Sequence, residues 1–334
     1  MFGTFRWALA LMVMLSHLWT SLSIWAGPYA VFGFWALSGY LMALVLERSY
    51  GFSAAGVRRF LVNRALRIYP PYLATLALAV PLLASHPLLA RSVSTMRLPV
   101  DGLAWLQNLV ILTTHLDREH AAGPVPPIWS VDIELWFYLA MPILVRRRAI
   151  LLGWFGASLA WAVWLIASDS DFNARYSNLA AASLPYSAGA LCFALRAPLG
   201  RLFAARWHLA LSLGLFAANA AWPLDAFLWS FYASLGATLY VIVVWARIAP
   251  PLHPGRLARL DARLGDLSYP IFLCHWPVAL AVLALGWADG KGAALYFLSL
   301  PLVHAVAWAI HRGVEAQVER VRARVRGGPT RRVG

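Results

Sequence analysis

Long apolar stretches alternate with short polar connections along the whole chain. Ten runs stand out, at about 6–26, 28–46, 68–89, 127–145, 149–167, 178–195, 207–223, 226–246, 266–286 and 293–311. Each approaches the length that a helix needs to cross a bilayer. The pattern therefore predicts an all-α integral membrane protein with about ten transmembrane helices. The first run carries an arginine and a histidine and is followed by many more, so it reads as a retained helix rather than a cleaved leader. The connection 90–126 is long and contains "GLAWLQNLVILTTHL" (102–116), too short to span and expected to be interfacial or re-entrant.

Composition excludes the soluble alternative. Of 334 residues 61% are hydrophobic and 13% charged, and mean hydropathy is +0.66. A soluble domain is about 45–50% apolar and about 25% charged. The net charge of +14 would suggest nucleic acid in a soluble protein. Here it reports topology, because Lys and Arg collect in cytoplasmic loops. On the ten-span scheme 23 of the 28 basic residues fall on one side, and Arg91, Arg97, Arg118, Arg175 and Lys291 fall on the other. An even span count then puts both termini in the cytoplasm of a multi-pass inner-membrane protein, with the bilayer as partner and no role for nucleic acid. Residues 1–312 form one transmembrane domain. Residues 313–334 are a basic cytoplasmic tail expected on the anionic inner leaflet. Cys192 and Cys274 lie in apolar segments and imply neither a disulfide framework nor a zinc site.

Ionisable groups inside apolar runs are candidates for function. Arg6 and His17 share a helix face about 16 Å apart along the axis. A snorkelling anchor and a hydrogen-bonded structural histidine are the plainer readings of the two. In "PPIWSVDIELWFYLAMPIL", Glu134 is placed near the depth of His17, where a carboxylate orients an imidazole and raises its basicity; a packing pair without chemistry is the alternative. Asp132 falls on the opposite face and is expected to meet water. His275, in "SYPIFLCHWPV", is as readily structural as functional, and His304 and His311 read as structural or interfacial. Arg64 and Arg67 lie at i, i+3, a spacing able to grip phosphates with charge-assisted bonds or simply to mark the cytoplasmic side. Arg58 and Arg59 are weaker candidates of that kind. Ser38-Gly39 lies near the membrane midplane, where small residues let helices approach closely, and no nucleophile elbow surrounds the serine. "HLDREH" (115–120) has a metal-like composition without a metal-binding spacing.

Taken in order, these pieces resemble the acyltransferase 3 family of integral membrane acyltransferases. The matching stretches are Arg6 with His17; Phe34 to Met42; Arg64, Arg67, Ile68, Pro70 and Tyr72; Trp129, Ser130, Glu134, Phe137 and Tyr138; and Ser268, Tyr269, Pro270, His275, Trp276 and Pro277. Leu135 and Phe272 depart from the family pattern. No SGNH-hydrolase-like extension follows, which suggests the short, membrane-only form. The resemblance implies an O-acyltransferase that moves an acyl group, commonly acetyl, from cytoplasmic acyl-CoA to a hydroxyl of a carbohydrate. Exopolysaccharide, O-antigen and lipid-linked sugars are typical acceptors.

On this expectation acyl-CoA is a co-substrate and no metal or resident cofactor is required. Arg64 and Arg67 hold the donor's phosphates, Arg6 marks the path of its pantetheine arm, and His17 oriented by Glu134 is the catalytic base. A covalent acyl-histidine is a variant of the same scheme. Asp132, Trp129, Ser38 and His275 are substrate-binding or structural. The rival reading is a transporter or flippase for a polysaccharide precursor, which also uses intramembrane Arg, His and Glu but often shows inverted repeats and broken helices.

Overall fold

The computed structural model describes residues 2–116, 122–221, 227–248 and 255–326, whose regular structure is all helix with no strand among them. In chain order the helices are α1 (Gly3–Leu18), α2 (Ala26–Val45), α3 (Ala54–Ser85), α4 (Pro87–Val93), α5 (Gly102–Val110), α6 (Ile128–Leu144), α7 (Arg148–Ala167), α8 (Phe172–Tyr176), α9 (Leu179–Ala194), α10 (Arg196–Leu202), α11 (Trp207–Ala221), α12 (Phe227–Ile248), α13 (Arg256–Ala284), α14 (Ala293–Ile310) and α15 (Ala316–Arg326).

Six helical segments have the length and apolarity to cross a membrane, those containing α2, α3, α7, α12, α13 and α14. A seventh follows if α9 and α10, bent by 79° at their junction, count as one. The predicted spans at 6–26, 127–145 and 207–223 are helical but shorter, as α1, α6 and α11. Two of these have a visible reason to be short, because α1 ends and α6 begins at internal cavities described below. The chain is thus a multi-pass membrane protein. Helix α7 is apolar on all sides and leaves Leu152, Leu159, Trp161 and Trp164 exposed, as a lipid-facing helix must.

Close approach of small residues sets the central packing. A Cβ on Gly3 would lie 1.6 Å from the Asp261 carbonyl oxygen, and one on Gly265 would lie 2.6 Å from the Gly3 Cα, so α1 and α13 touch backbone to backbone. The Asp261 carboxylate accepts from the Thr4 N–H and hydroxyl at 2.9 and 3.0 Å, capping α1 from the neighbouring helix. With Gly3 against Gly265 and His17 against His275, the two helices run parallel. Gly39 does the same for α2, its missing Cβ leaving room for the Tyr186 carbonyl of α9, as the small-residue reading of Ser38-Gly39 expects.

Segment 102–116 enters the bundle. The Tyr72 hydroxyl donates to the Asn108 carbonyl at 2.7 Å and the Tyr69 hydroxyl donates to that of Val110, so the end of α5 docks midway along α3. Helix α3 is about 48 Å long; Asn108 is buried against it, whereas Leu103, Leu106 and Leu109 on the same short helix stay exposed.

Candidate functional site

Three cavities meet end to end. The first, about 210 Å³, is lined by Arg6, Arg64, Arg67, Glu134, Ser38 and Tyr138 among others. The second, about 280 Å³, shares Val31, Ser130 and Phe272 with the first and reaches His17. The third, about 1060 Å³, shares His17, Pro127 and Trp129 with the second and opens beyond the far end of α3, beside Arg91 of α4. His17 stands where the second and third meet. Arg6 and His17 occupy one face of α1, so the path between them follows that helix.

The first cavity gathers more cations than anions. Arg64 and Arg67 come from one face of α3 and Arg6 from α1. The tail supplies a fourth, Arg322 of α15, which packs against α3. Arg322 is fixed by Asn63, whose amide nitrogen donates to the Arg322 carbonyl at 3.2 Å and whose amide oxygen accepts from the guanidiniums of Arg322 and Arg64 at 3.3 and 3.2 Å. Glu319 pairs with Arg322 at 2.7 Å. The Nε–H groups of Arg6, Arg64 and Arg322 are buried without a partner among the described residues. Buried donors on charged groups that lack acceptors cost free energy, and an anion in the cavity removes that cost.

Glu134 is the acid that lines this cavity, and its Oε1 is occupied. It accepts from Ser38 at 2.7 Å and from the Tyr138 hydroxyl at 2.5 Å. The expected pairing of Glu134 with His17 is therefore not what the structure has. The reason lies in the segment before α6. It carries Pro127 and the start of α6 down to the level of His17, so Trp129 lies at that level. Glu134, five residues or about 7.5 Å further on, reaches the arginines instead.

The partner of His17 is His275, with His17 Nδ1 and His275 Nε2 at 2.9 Å. The two rings lie edge to edge and nearly coplanar, their centroids 5.1 Å apart at 18°, and Trp276 stacks on His17 at 5.5 Å. His275 is fully buried, and its Nδ1 lies 3.2 Å from the Ile271 carbonyl. A carbonyl only accepts, so His275 Nδ1 carries the proton and a neutral His275 offers Nε2 as an acceptor. His17 Nδ1 must then donate, which leaves the lone pair of His17 on Nε2. The sequence marked His275 but gave no sign of this pairing, which depends on the parallel register of α1 and α13.

Asp132 does not meet water. It is fully buried, and its Oδ2 accepts from the Thr114 hydroxyl, the His115 N–H and His115 Nδ1 at 2.9, 2.9 and 2.8 Å. It clamps a turn in which Ile111 and Thr113 have φ of 57° and 70°, a region disfavoured for β-branched residues. His115 of "HLDREH" is thus committed to Asp132, and residues 117–120 of that stretch lie outside the described residues. His304 accepts from Trp7 Nε1 at 3.0 Å and His311 pairs with Glu315 at 2.9 Å, both structural as expected. Arg58 and Arg59 are exposed and do not line the arginine cavity.

A family model described as an acyltransferase domain matches residues 3–312. Over 288 residues the chain is 24% identical to a Komagataeibacter xylinus protein, BcsY, named as a membrane-bound transacylase, covering 81% of this chain and 70% of that one. An uncharacterised protein of Haemophilus influenzae is 26% identical over 115 residues, 34% of this chain and 46% of its own length. No solved structure matches.

Proposed function

Since the chain belongs to the acyltransferase-domain family, we propose that it transfers an acyl group, in the simplest case acetyl, from cytoplasmic acyl-CoA to a hydroxyl of a carbohydrate. Exopolysaccharide, O-antigen and lipid-linked sugars are the candidate acceptors. One observation carries the reading: a histidine whose Nε2 has no partner among the described residues stands between a cavity lined by four arginines and a wide cavity at the opposite end.

Coenzyme A carries a diphosphate and a 3′-phosphate, anions that suit Arg6, Arg64, Arg67 and Arg322. The pantetheine arm follows α1 past Ser38 and brings the thioester to His17. The acceptor enters from the wide cavity. His17 Nε2 takes the hydroxyl proton as the oxygen attacks the thioester carbonyl. The carbon–sulfur bond then breaks, and the coenzyme A thiolate leaves with the proton returned from His17. Glu134 holds Ser38 and Tyr138 at the narrow part of the path and offsets part of the arginine charge. In this topology the arginine-rich side is cytoplasmic, ten helical passes cross or enter the inner membrane, and both termini face inward.

The test is label transfer from radiolabelled acetyl-CoA in membranes holding wild type or His17→Ala at matched levels. Wild type should label a glycan or lipid fraction, and His17→Ala should do so about 10²-fold less or worse. Equal labelling by His17→Ala would remove the base, and no labelling by wild type would remove the donor.

A further inference from the structure

The wide cavity holds three cations where an acceptor would enter. Arg91 reaches it from α4, Arg97 from the segment after α4, and Lys291 from the loop between α13 and α14. Among the described residues that line it there is no Asp or Glu. The Arg97 Nε–H is buried without an acceptor among the described residues. Lys291 is fixed rather than trailing in solvent. The N–H of the next residue, Gly292, donates to the Leu18 carbonyl at the end of α1 at 2.8 Å, and the Lys291 ammonium lies 5.3 Å from the centre of the Trp276 ring. That ring is the one stacked on His17. A positive charge is therefore held one aromatic ring away from the proposed base.

These cations serve no purpose in binding the donor, whose arginines line a different cavity. On the five-residue minority side of the charge asymmetry, the positive-inside rule gives no reason to concentrate them. We propose that the wide cavity binds an anionic acceptor, a sugar bearing a phosphate or carboxylate, with the anion held by Arg91, Arg97 and Lys291. The ring of Trp129, which lines the same cavity, offers an apolar platform for the sugar. The anion at Lys291 then sets which hydroxyl faces His17. This rests on the acyl-transfer reading only in calling the ligand an acceptor; the anion site stands on its own residues.

The test is equilibrium binding to the purified full chain in nanodiscs of zwitterionic lipid, with tetragalacturonate, glucose 1-phosphate and the neutral maltotetraose as probes. At least one anionic probe should bind about tenfold or more tightly than maltotetraose, less so in high salt. Which one does so separates carboxylate from phosphate. Arg97→Gln and Lys291→Gln should each weaken that binding several-fold. The inference is overturned if maltotetraose binds as tightly, if neither anion binds, or if both variants bind like wild type. Loss of acyl transfer with anion binding intact would sink the proposed function and leave this site standing. Intact transfer without anion binding would sink the site alone.

Discussion

Replacing His275 separates a base held by its neighbour from a base that acts alone. His275→Phe keeps a buried ring against His17 but removes the acceptor for His17 Nδ1–H, now at 2.9 Å. The imidazole then has a donor without a partner, and its proton is free to settle on Nε2, the nitrogen required as the base. An unmet buried donor costs about 1–3 kcal/mol. At 1.36 kcal/mol per tenfold, transfer should slow by about 5- to 150-fold. His275→Gln can place an amide oxygen near the position of Nε2 and should recover most of the rate. His275 does not line the arginine cavity, so the loss should fall on kcat and leave the KM for acyl-CoA unchanged. The assay is steady-state transfer from labelled acetyl-CoA by variants that purify monodisperse. A His275→Phe enzyme as fast as wild type would refute the reasoning. So would a Gln variant as slow as Phe, or a loss confined to KM.

Other outcomes follow from the same geometry. Arg322→Ala removes one arginine from the donor cavity and should raise the KM for acetyl-CoA about tenfold or more, with a smaller effect on dephospho-acetyl-CoA; equal effects on both donors would place Arg322 away from the 3′-phosphate. Glu134→Gln should leave the pH profile of transfer in place, because Glu134 bonds to Ser38 and Tyr138 rather than to His17; a displaced profile would restore the direct Glu134–His17 pairing. Asp132→Ala strips the acceptor from the buried turn at 111–115 and should cost about 1–3 kcal/mol, read as a lower unfolding temperature in detergent; an unchanged temperature would mean that Asp132 does not hold the turn.

The helices were legible because apolar runs of bilayer length leave few other structures open to the chain. Arg64 could be paired with Arg67, and Arg6 with His17, because helical spacing places each pair on one face. Depth was harder to read. Counting residues inward from an assumed membrane surface put Glu134 beside His17 and Asp132 in water. Both placements failed for the same reason: the connection before α6 enters the protein, so that helix starts deep. Partners from distant segments were also hidden. His17 and His275 meet only because glycines let α1 and α13 touch. Arg322 looked like one more tail arginine, yet Val318, Arg322 and Val325 share a helix face at i, i+4 and i+7, a pattern that marks a docking side. That signal was present in the sequence and was masked by the charge around it.

The central claim is a path that receives the donor at the arginine-lined end and the acceptor at the other, with His17 between them. Sidedness tests it most directly. Labelled acetyl-CoA is added to sealed inside-out vesicles and, separately, to sealed right-side-out vesicles, each holding wild type or His17→Ala. The account predicts label only from inside-out vesicles, in product that stays within the lumen, and little from His17→Ala. Equal use of acetyl-CoA from either face, or transfer that survives the loss of His17, would contradict it.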